Sequence, residues 1–240
     1  AGLFVISGTM ANQLAVMSLT ERGDEVLLGE ETHIYNLEVG GLAALSGVQV
    51  RTLKSELGRF DPEEVRRAIR PKGIQSAVTR LLCLENTYNL NRGIPLPGSY
   101  TSDMAKLAHE QGLAVYLDGA RIFNASVAFG EAPAVLCREV DCLQFCLSKG
   151  LAAPIGSLLL GSRVFIDRAR WLRQRIGGGM RQAGHMAAAG LVALETMQDR
   201  LVEEHANAKR LAAGIAAIDE RLADVENTLS NIVYVDFAAG

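Results

Sequence analysis

The amino-acid sequence predicts an α/β fold built around a mostly parallel β-sheet. Short apolar runs rich in β-forming residues alternate with segments that carry helical patterns, as expected when crossover helices join parallel strands. Most of these runs are continuously apolar, which is typical of strands covered on both faces. A chain of 240 residues can enclose one large domain with a well-buried core, or one and a half domains of ordinary size.

Seven apolar runs are the candidate strands of this sheet. In chain order they are residues 3–6, 25–28, 48–53, 80–85, 113–118, 142–147 and 155–160. An eighth run, residues 231–237, predicts a strand that begins a second and smaller domain.

Helical patterns lie between these runs. Residues 12–22 and 102–111 each form a pattern that a glycine closes. Asp61 supplies an N-cap for a helix over residues 62–70, which opens with a proline and two acidic residues. A long amphipathic run over residues 181–222 predicts two helices, or one bent helix, outside the main sheet.

These elements suggest a division into two parts. We expect a large domain over residues 1–195, followed over residues 196–240 by a connecting helix and the beginning of a small C-terminal domain. The sequence starts with Ala-Gly and runs straight into a strand, so we expect the N-terminal arm of the large domain to be missing and the small domain to be truncated.

The composition argues against nucleic acid and membrane as partners. The net charge is only -3, with 49% hydrophobic and 21% charged residues, so the chain lacks a basic field that would attract polyanions. The longest apolar stretches, such as residues 3–6 and 155–160, are far shorter than the ~20 residues needed to cross a bilayer. The sequence therefore predicts a soluble protein whose partner is a small molecule.

The four cysteines are Cys83, Cys137, Cys142 and Cys146, and all lie inside apolar runs. They lack the Cys-x-x-Cys spacing of zinc and redox sites, so no metal site is predicted. Buried free thiols are the simpler interpretation, and their reduced state would suit the cytoplasm.

A turn of small residues follows the first candidate strand. Open α/β sheets bind ligands beyond the carboxyl ends of their strands. Ser7, Gly8 and Thr9 lie there, directly before a helix, where backbone N–H groups and the helix dipole favour a phosphate group. Such a turn is also common for purely structural reasons, since Gly and Thr suit ordinary caps. Taken alone, it is a weak prediction of a phosphate site.

Asp118 and Lys149 follow two further strands. Asp118 ends strand 113–118, with Arg121 three residues later, although Asp before Gly is also common in turns. Lys149 follows the apolar strand 142–147, where an ammonium group is costly unless it is paired, neutralised or covalently used. A phosphate turn, a carboxylate and a lysine at strand ends together supply what pyridoxal 5'-phosphate (PLP) requires: an anchor, a partner for the ring nitrogen and an amine for covalent attachment.

These residues lie in stretches that resemble the low-specificity L-threonine aldolases. The stretches are Gly-Thr-Met-Ala-Asn (8–12), Thr-His-Ile-Tyr (32–35), Leu-Glu-Asn-Thr (84–87), Asp-Gly-Ala-Arg-Ile-Phe-Asn-Ala (118–125), Leu-Ser-Lys-Gly-Leu (147–151) and Gly-Gly-Gly-Met-Arg-Gln (177–182). Their order and spacing match that family along nearly the whole chain. The resemblance implies a fold-type-I, PLP-dependent transferase-like large domain with a mostly parallel sheet, followed by the start of a small C-terminal α/β domain.

The resemblance also implies roles for the matching residues. Lys149 would hold the cofactor covalently, Asp118 would pair with its ring nitrogen, and His33 would stack on the face of the ring. These three are the implied catalytic residues. The implied cofactor site contains them together with Arg121, Ser148 and, at the phosphate, Gly8 and Thr9.

Arg121, Tyr88 and Gln75 are the candidate substrate-binding residues. Arg121 would clamp the substrate carboxylate with its planar fork of donors. Tyr88 and Gln75 stand where the family commonly has histidines. Neither is a base near pH 7, because tyrosine has a reference pKa of about 10 and glutamine does not titrate. These departures predict a shifted specificity or an altered chemistry at the substrate hydroxyl.

The implied reaction is the cleavage of L-threonine, L-allo-threonine or a related β-hydroxy-α-amino acid to glycine and an aldehyde. A related PLP-dependent lyase or transferase, or a catalytically silent PLP-binding homologue, stays open as an alternative. The resemblance further implies a cytoplasmic homodimer or homotetramer with active sites near the subunit interface.

Overall fold

The computed structural model describes residues 1–237, and these contain a seven-stranded β-sheet. The strands are β1 (Gly2–Val5), β2 (Glu25–Gly29), β3 (Gln49–Leu53), β4 (Thr79–Glu85), β5 (Ala114–Asp118), β6 (Cys142–Cys146) and β7 (Ser157–Gly161). All of the first seven predicted strands are confirmed, with small shifts at their ends. Their order across the sheet is β1-β7-β6-β5-β4-β2-β3.

The sheet is mostly parallel, as predicted. Strands β2 to β6 run parallel to one another, whereas β7 is antiparallel to both of its neighbours, β1 and β6. The connection from β6 to β7, residues 147–156, is shorter than the crossover of roughly a dozen or more residues that a parallel neighbour needs. Because β1, β4, β5 and β6 share one direction, their carboxyl ends meet at one edge of the sheet.

The helices are α1 (Gly8–Leu19), α2 (His33–Asn36), α3 (Pro62–Ala68), α4 (Gly98–Glu110), α5 (Ile122–Phe129), α6 (Pro133–Leu136), α7 (Arg163–Arg175), α8 (Gly184–Thr196) and α9 (Leu201–Ala216). The predicted cap of α3 is confirmed, since the Asp61 carboxylate accepts the Glu63 N–H at 2.9 Å. The amphipathic run over residues 181–222 contains two helices, α8 and α9, separated by a short 3-10 turn. The sequence analysis did not predict α2, α5, α6 or α7.

Apolar layers cover both faces of the sheet. Leu82 of β4 and Leu117 of β5 belong to the layer that packs against α4 and α5. Leu81 of β4 and Tyr116 of β5 point to the opposite face and pack in the layer that contains α1 and α7. Burial on both faces is the physical reason for the continuously apolar strands of the sequence.

The strand predicted over residues 231–237 is wrong. A strand needs a row of main-chain hydrogen bonds to a neighbour. Within residues 1–237 this segment is instead held by isolated contacts, such as the Asp236 N–H to the Leu222 carbonyl at 3.0 Å and the Tyr234 hydroxyl to the Asn89 carbonyl at 3.1 Å. The proposed boundary after residue 195 stays a prediction.

The four cysteines are free thiols, as predicted. Cys83, Cys142 and Cys146 are buried and Cys137 is half-buried. Among the described residues, the helices are too short or too polar to span a bilayer.

Candidate active site

A cavity of about 160 Å³ opens at the carboxyl edge of the sheet, where the turn after β1 meets the ends of β4, β5 and β6. Most of the residues predicted from the sequence line it: Gly8, Thr9, His33, Asp118, Arg121, Ser148 and Lys149. Two predicted residues, Tyr88 and Gln75, do not. The cavity therefore brings together most of the candidate cofactor-binding and catalytic residues.

Asp118 is fixed at the end of β5 by a set of N–H donors. Its side chain is buried, with 4% of the residue exposed. One carboxylate oxygen accepts the Gln144 amide at 2.6 Å and the Ala120 backbone N–H at 3.1 Å, and the other accepts the Asn12 amide at 2.8 Å. These hydrogen bonds compensate for the burial of the carboxylate and hold it rigidly at the cavity wall.

Lys149 follows β6 and is half-buried at the cavity. Within residues 1–237, neither an ion pair nor a hydrogen bond engages its amine. The next residue, Gly150, allows α9 to pack closely, because a Cβ there would lie 2.7 Å from the Leu201 side chain. The loop that carries the lysine is thus packed in place while the amine itself stays available for covalent attachment.

The turn after β1 presents free backbone donors to the cavity. Helix α1 begins at Gly8, and the Ser7 hydroxyl caps it by accepting the Met10 N–H at 3.1 Å. The N–H groups of Gly8 and Thr9 have no acceptor within residues 1–237, and the first turn has no acidic residue. A Cβ at Gly8 would lie 2.9 Å from the Cys146 sulfur, so only glycine leaves this cradle open. The turn fits a phosphate group.

His33 begins α2 and is anchored at both its backbone and its ring. Its N–H donates to a Glu85 carboxyl oxygen at 2.7 Å, and its Nδ1 lies 3.0 Å from Glu38 Oε1. The hydrogen bond to Glu38 raises the pKa of His33; burial opposes this rise, while the charges of Asp118, Glu38 and Glu85 add to it. The imidazole therefore lines the cavity in an acidic environment.

Arg121 directs unused donors at the cavity. One terminal nitrogen donates to the Asn89 side chain at 2.9 Å, whereas the buried Nε has no hydrogen-bond partner in the described part of the chain. Burial lowers the pKa of Arg121, and the neighbouring acidic groups oppose that effect. A guanidinium group with open donors suits a carboxylate ligand.

Sequence reasoning missed Glu85, which lines the same cavity. Its carboxyl group is buried and accepts the backbone N–H groups of His33 and Asn89 at 2.7 Å and 2.6 Å. Burial and, secondly, the charge of Asp118 raise the pKa of Glu85 to about 8. Glu85 ends β4 directly beside Asp118 in the strand register, so its position after a buried strand was a signal that could have been read.

Asn12, Gln144 and Glu38 were also missed. Gln144 interrupts the apolar run of β6, and an uncharged polar residue inside a buried strand is a readable signal. Asn12 lies in the stretch 8–12 that resembles the aldolases, but it was assigned no role. Glu38 gave no comparable signal, because a glutamate in a loop is ordinary on protein surfaces. Only the fold shows that both are buried beside Asp118.

Three potential metal-ligand atoms lie within 4.8 Å of one another, one each from His33, Glu38 and Asp118. The amide of Asn12 lies among them and donates to Glu38 at 2.6 Å and to Asp118 at 2.8 Å. Because N–H donors already face these carboxylate oxygens, the group is arranged for hydrogen bonding rather than for metal ligation.

The structure places Tyr88 and Gln75 outside the lining of the cavity. Tyr88 is fully buried away from the cavity, where its ring packs against Gly29 and Gly58 and its hydroxyl lies 3.4 Å from the Ser55 hydroxyl. Gln75 is exposed on the connection that leads into the start of β4, at the opposite edge of the sheet. Their predicted role in substrate binding stays a prediction.

Comparison with known proteins settles which family this arrangement represents. The model of the family described as "Beta-eliminating lyase" matches residues 1–238. The chain belongs to the beta-eliminating lyase family. A probable low-specificity L-threonine aldolase 2 of Arabidopsis thaliana is 45% identical over 98% of this chain and 68% of the relative. The low specificity L-threonine aldolase of Escherichia coli strain K12 is 42% identical over 98% of this chain and 69% of the relative.

Solved structures agree with the assignment of the fold. A putative L-allo-threonine aldolase from Listeria monocytogenes superposes with a TM-score of 0.81 at 21% sequence identity, covering 96% of this chain and 63% of that one. A threonine aldolase from Leishmania major gives a TM-score of 0.79 at 20% identity, over 93% of this chain and 65% of that one. The lyase fold is thus the predicted fold-type-I architecture, and this chain spans about two thirds of such proteins.

PLP is the cofactor of this lyase, and the residues of the cavity fit it. A free amine, a buried carboxylate and a phosphate-sized cradle of open N–H groups lie at Lys149, Asp118 and the turn at Gly8. These are the groups that a cofactor with an aldehyde, a ring nitrogen and a phosphate requires.

Proposed function

We propose that this lyase cleaves L-threonine, L-allo-threonine or a related β-hydroxy-α-amino acid to glycine and an aldehyde. The observation that carries the proposal is the meeting of Lys149, Asp118, Arg121 and His33 in one cavity of a beta-eliminating lyase. Relatives at 42% and 45% identity that are named L-threonine aldolases support the choice of reaction.

Four side chains have separate roles in the proposed reaction. Lys149 would hold the cofactor, and Asp118 would keep its ring nitrogen protonated. When bound, PLP supplies a ring that accepts the electrons of a bond broken at Cα. Arg121 binds the substrate carboxylate and so turns the Cα–Cβ bond toward the orientation in which it breaks. His33 receives the proton of the β-hydroxyl, directly or through water.

Product analysis tests the reaction. Protein supplied with PLP and each threonine isomer should release glycine and acetaldehyde in equal amounts, and Lys149→Ala should abolish release. A four-carbon oxo acid as the product would instead indicate elimination or transamination. Absence of turnover by the full-length protein, despite PLP binding, would favour a silent homologue.

The cofactor site has an independent test that does not need turnover. Borohydride reduction of the PLP-loaded protein should fix the cofactor on a single lysine, and peptide mapping should find it at position 149. A label on any other lysine would contradict the proposed role of Lys149.

We further propose a cytoplasmic homodimer or homotetramer with its active sites near the subunit interface. Apolar side chains directly after His33 support this assembly, since Tyr35, Leu37 and Val39 are exposed in the single chain. Four free thiols suit a reducing compartment. Light scattering of the purified protein distinguishes a monomer from either assembly.

A further inference from the structure

Glu38 is a buried charged group next to the cavity, with none of its side chain exposed. Its oxygens accept the Asn12 amide at 2.6 Å and the Gln13 amide at 2.7 Å, and Oε1 also lies 3.0 Å from His33 Nδ1. A carboxylate that receives two amide donors can only accept from a third group. The His33 ring must therefore carry its proton on Nδ1.

The Asn12 amide links the contact between Glu38 and His33 to Asp118, which lines the cavity. Its nitrogen donates to both Glu38 and Asp118, and its oxygen accepts the hydroxyl of Tyr116. The carboxylate oxygens of Glu38 and Asp118 can only accept, so the end of the amide that faces them is the nitrogen, and the direction of both donated bonds is fixed. Glu38 is consequently held in one position relative to Asp118.

Fixing Nδ1 as a donor has a consequence for the other ring nitrogen. Within residues 1–237, His33 Nε2 has no hydrogen-bond partner, and the ring lines the cavity. In the neutral ring the nitrogen opposite a protonated Nδ1 is a proton acceptor. The ring thus offers the cavity a base at a defined atom.

We propose that Glu38 is a positioning residue, which holds the His33 ring with Nδ1 as donor and leaves Nε2 to accept a proton in the cavity. Its importance for catalysis rests on the proposed function, in which His33 takes the proton of the substrate hydroxyl. The sequence analysis assigned Glu38 no role, because only the fold brings it to His33.

Other charges also face His33 and must be separated from the effect of Glu38. Asp118 and Glu85 approach from β5 and β4, and Arg121, Lys149 and Cys146 line the same cavity. Glu38→Gln removes one charge and leaves the others in place. Because the hydrogen bond that His33 donates to Glu38 is the largest cause of the raised pKa of His33, the titration of His33 should move to lower pH in this variant.

The first test uses the wild-type protein without PLP, so it depends neither on cofactor nor on a variant that folds. Nitrogen chemical shifts of labelled histidine report which ring nitrogen carries the proton in the neutral form. The expected result for His33 is a proton on Nδ1. A proton on Nε2 instead would overturn the proposal.

The second test compares the His33 titration in Glu38→Gln with that in the wild type. Asp141→Asn is the matched control, because Asp141 forms another histidine–carboxylate pair, 2.9 Å from His109 and far from the cavity. The midpoint of His33 should fall in Glu38→Gln and stay unchanged in Asp141→Asn. An unchanged midpoint in folded Glu38→Gln would contradict the role of Glu38.

The third test links positioning to catalysis. In the full-length enzyme with PLP, Glu38→Gln should lower kcat for aldol cleavage by roughly 10- to 100-fold. The rising limb of its pH profile should move to lower pH, with little change in KM. A drop in kcat with an unmoved pH profile would indicate a merely structural role and overturn the proposal.

The proposed reaction and the positioning role of Glu38 can be disproved independently. If the enzyme releases no glycine but the tautomer and the titration of His33 follow Glu38, the proposed function is wrong and the positioning of the ring stands. If glycine is released while His33 titrates independently of Glu38, the function stands and the positioning role is wrong.

Discussion

Three carboxyl groups surround the base of the cavity, and each is held by neutral donors rather than by a lysine or arginine. Asp118 is bound by two side-chain amides and a backbone N–H, Glu38 by two side-chain amides, and Glu85 by two backbone N–H groups. Neutral donors stabilise the buried carboxyl oxygens without adding a positive charge beside them. A carboxylate at Asp118 that is held in this way favours the protonated form of a ring nitrogen that faces it.

Asp118→Asn should weaken the binding of PLP by roughly 100-fold or more, because breaking a buried charge pair costs about 3–5 kcal/mol. Titration of the apoprotein with PLP, followed by absorbance, measures the dissociation constant. Asp141→Asn, an aspartate outside the cavity, serves as the control. A dissociation constant of Asp118→Asn within about twofold of wild type would show that the carboxylate does not face the ring nitrogen.

Glu85 should make the stability of the fold depend on pH. Its pKa is raised from 4.5 to about 8, so the folded state retains a proton that the unfolded chain releases. The contribution of Glu85 is fully present below pH 4.5 and is lost as the pH rises to about 8, at up to about 1.4 kcal/mol per pH unit.

Glu85→Gln removes this titration. Its free energy of unfolding, measured by denaturant titration from pH 5 to about pH 8, should fall less steeply than that of wild type. The exposed substitution Glu110→Gln should keep the wild-type slope. Equal slopes in wild type and Glu85→Gln would contradict a raised pKa for Glu85.

At the scale of elements, the strands and their reactive ends were predictable. The sequence was sufficient to locate Lys149, Asp118 and the turn at Gly8, because an apolar run ends where a buried strand ends. The residues that follow such a run lie at the edge of the sheet. Most of the predicted strands are continuously apolar, and polar positions such as Gln144 are exceptions. Local sequence was sufficient for this part of the fold and of the site.

The elements that sequence failed to predict depend on distant contacts. Helix α2 has only four residues, too few for a periodic signal, and it is held by the hydrogen bond from the His33 N–H to Glu85 on β4. The strand wrongly predicted over residues 231–237 has suitable side chains but no neighbouring strand in the described chain. The buried position of Tyr88 was not predicted, because it depends on packing over β2, which a motif cannot show.

Tyr88 should therefore matter for stability as a packing element. Its ring fills the space over Gly29 of β2 and over Gly58, so Tyr88→Ala should cost about 3–5 kcal/mol in the free energy of unfolding. Tyr88→Phe keeps the ring and should cost about 1 kcal/mol, since it removes the long contact to the Ser55 hydroxyl and a hydrogen bond with the backbone of Glu31. Similar losses in both variants, measured by chemical denaturation, would show that the hydroxyl rather than the ring is important.

At the scale of the whole molecule, the cavity depends on segments far apart in the sequence. The turn at Gly8 and Lys149 are joined through the sheet, because β1 pairs with β7 and β7 pairs with β6. The reversed strand β7 thus places the turn at Gly8 near the strand that precedes Lys149. A ligand that contacts both ends of this arrangement binds only when the sheet is formed.

PLP should consequently stabilise the fold as a whole. A ligand that binds only the folded state at 100 times its dissociation constant adds about 2.7 kcal/mol to the free energy of unfolding. Thermal unfolding at increasing PLP concentration should show a rising Tm.

Pyridoxal without the phosphate should raise the Tm less, because it leaves the N–H groups at Gly8 and Thr9 unused. Lys149→Ala should also reduce the rise. If pyridoxal and PLP stabilised wild type equally at the same concentration, the turn at Gly8 would not be the phosphate site.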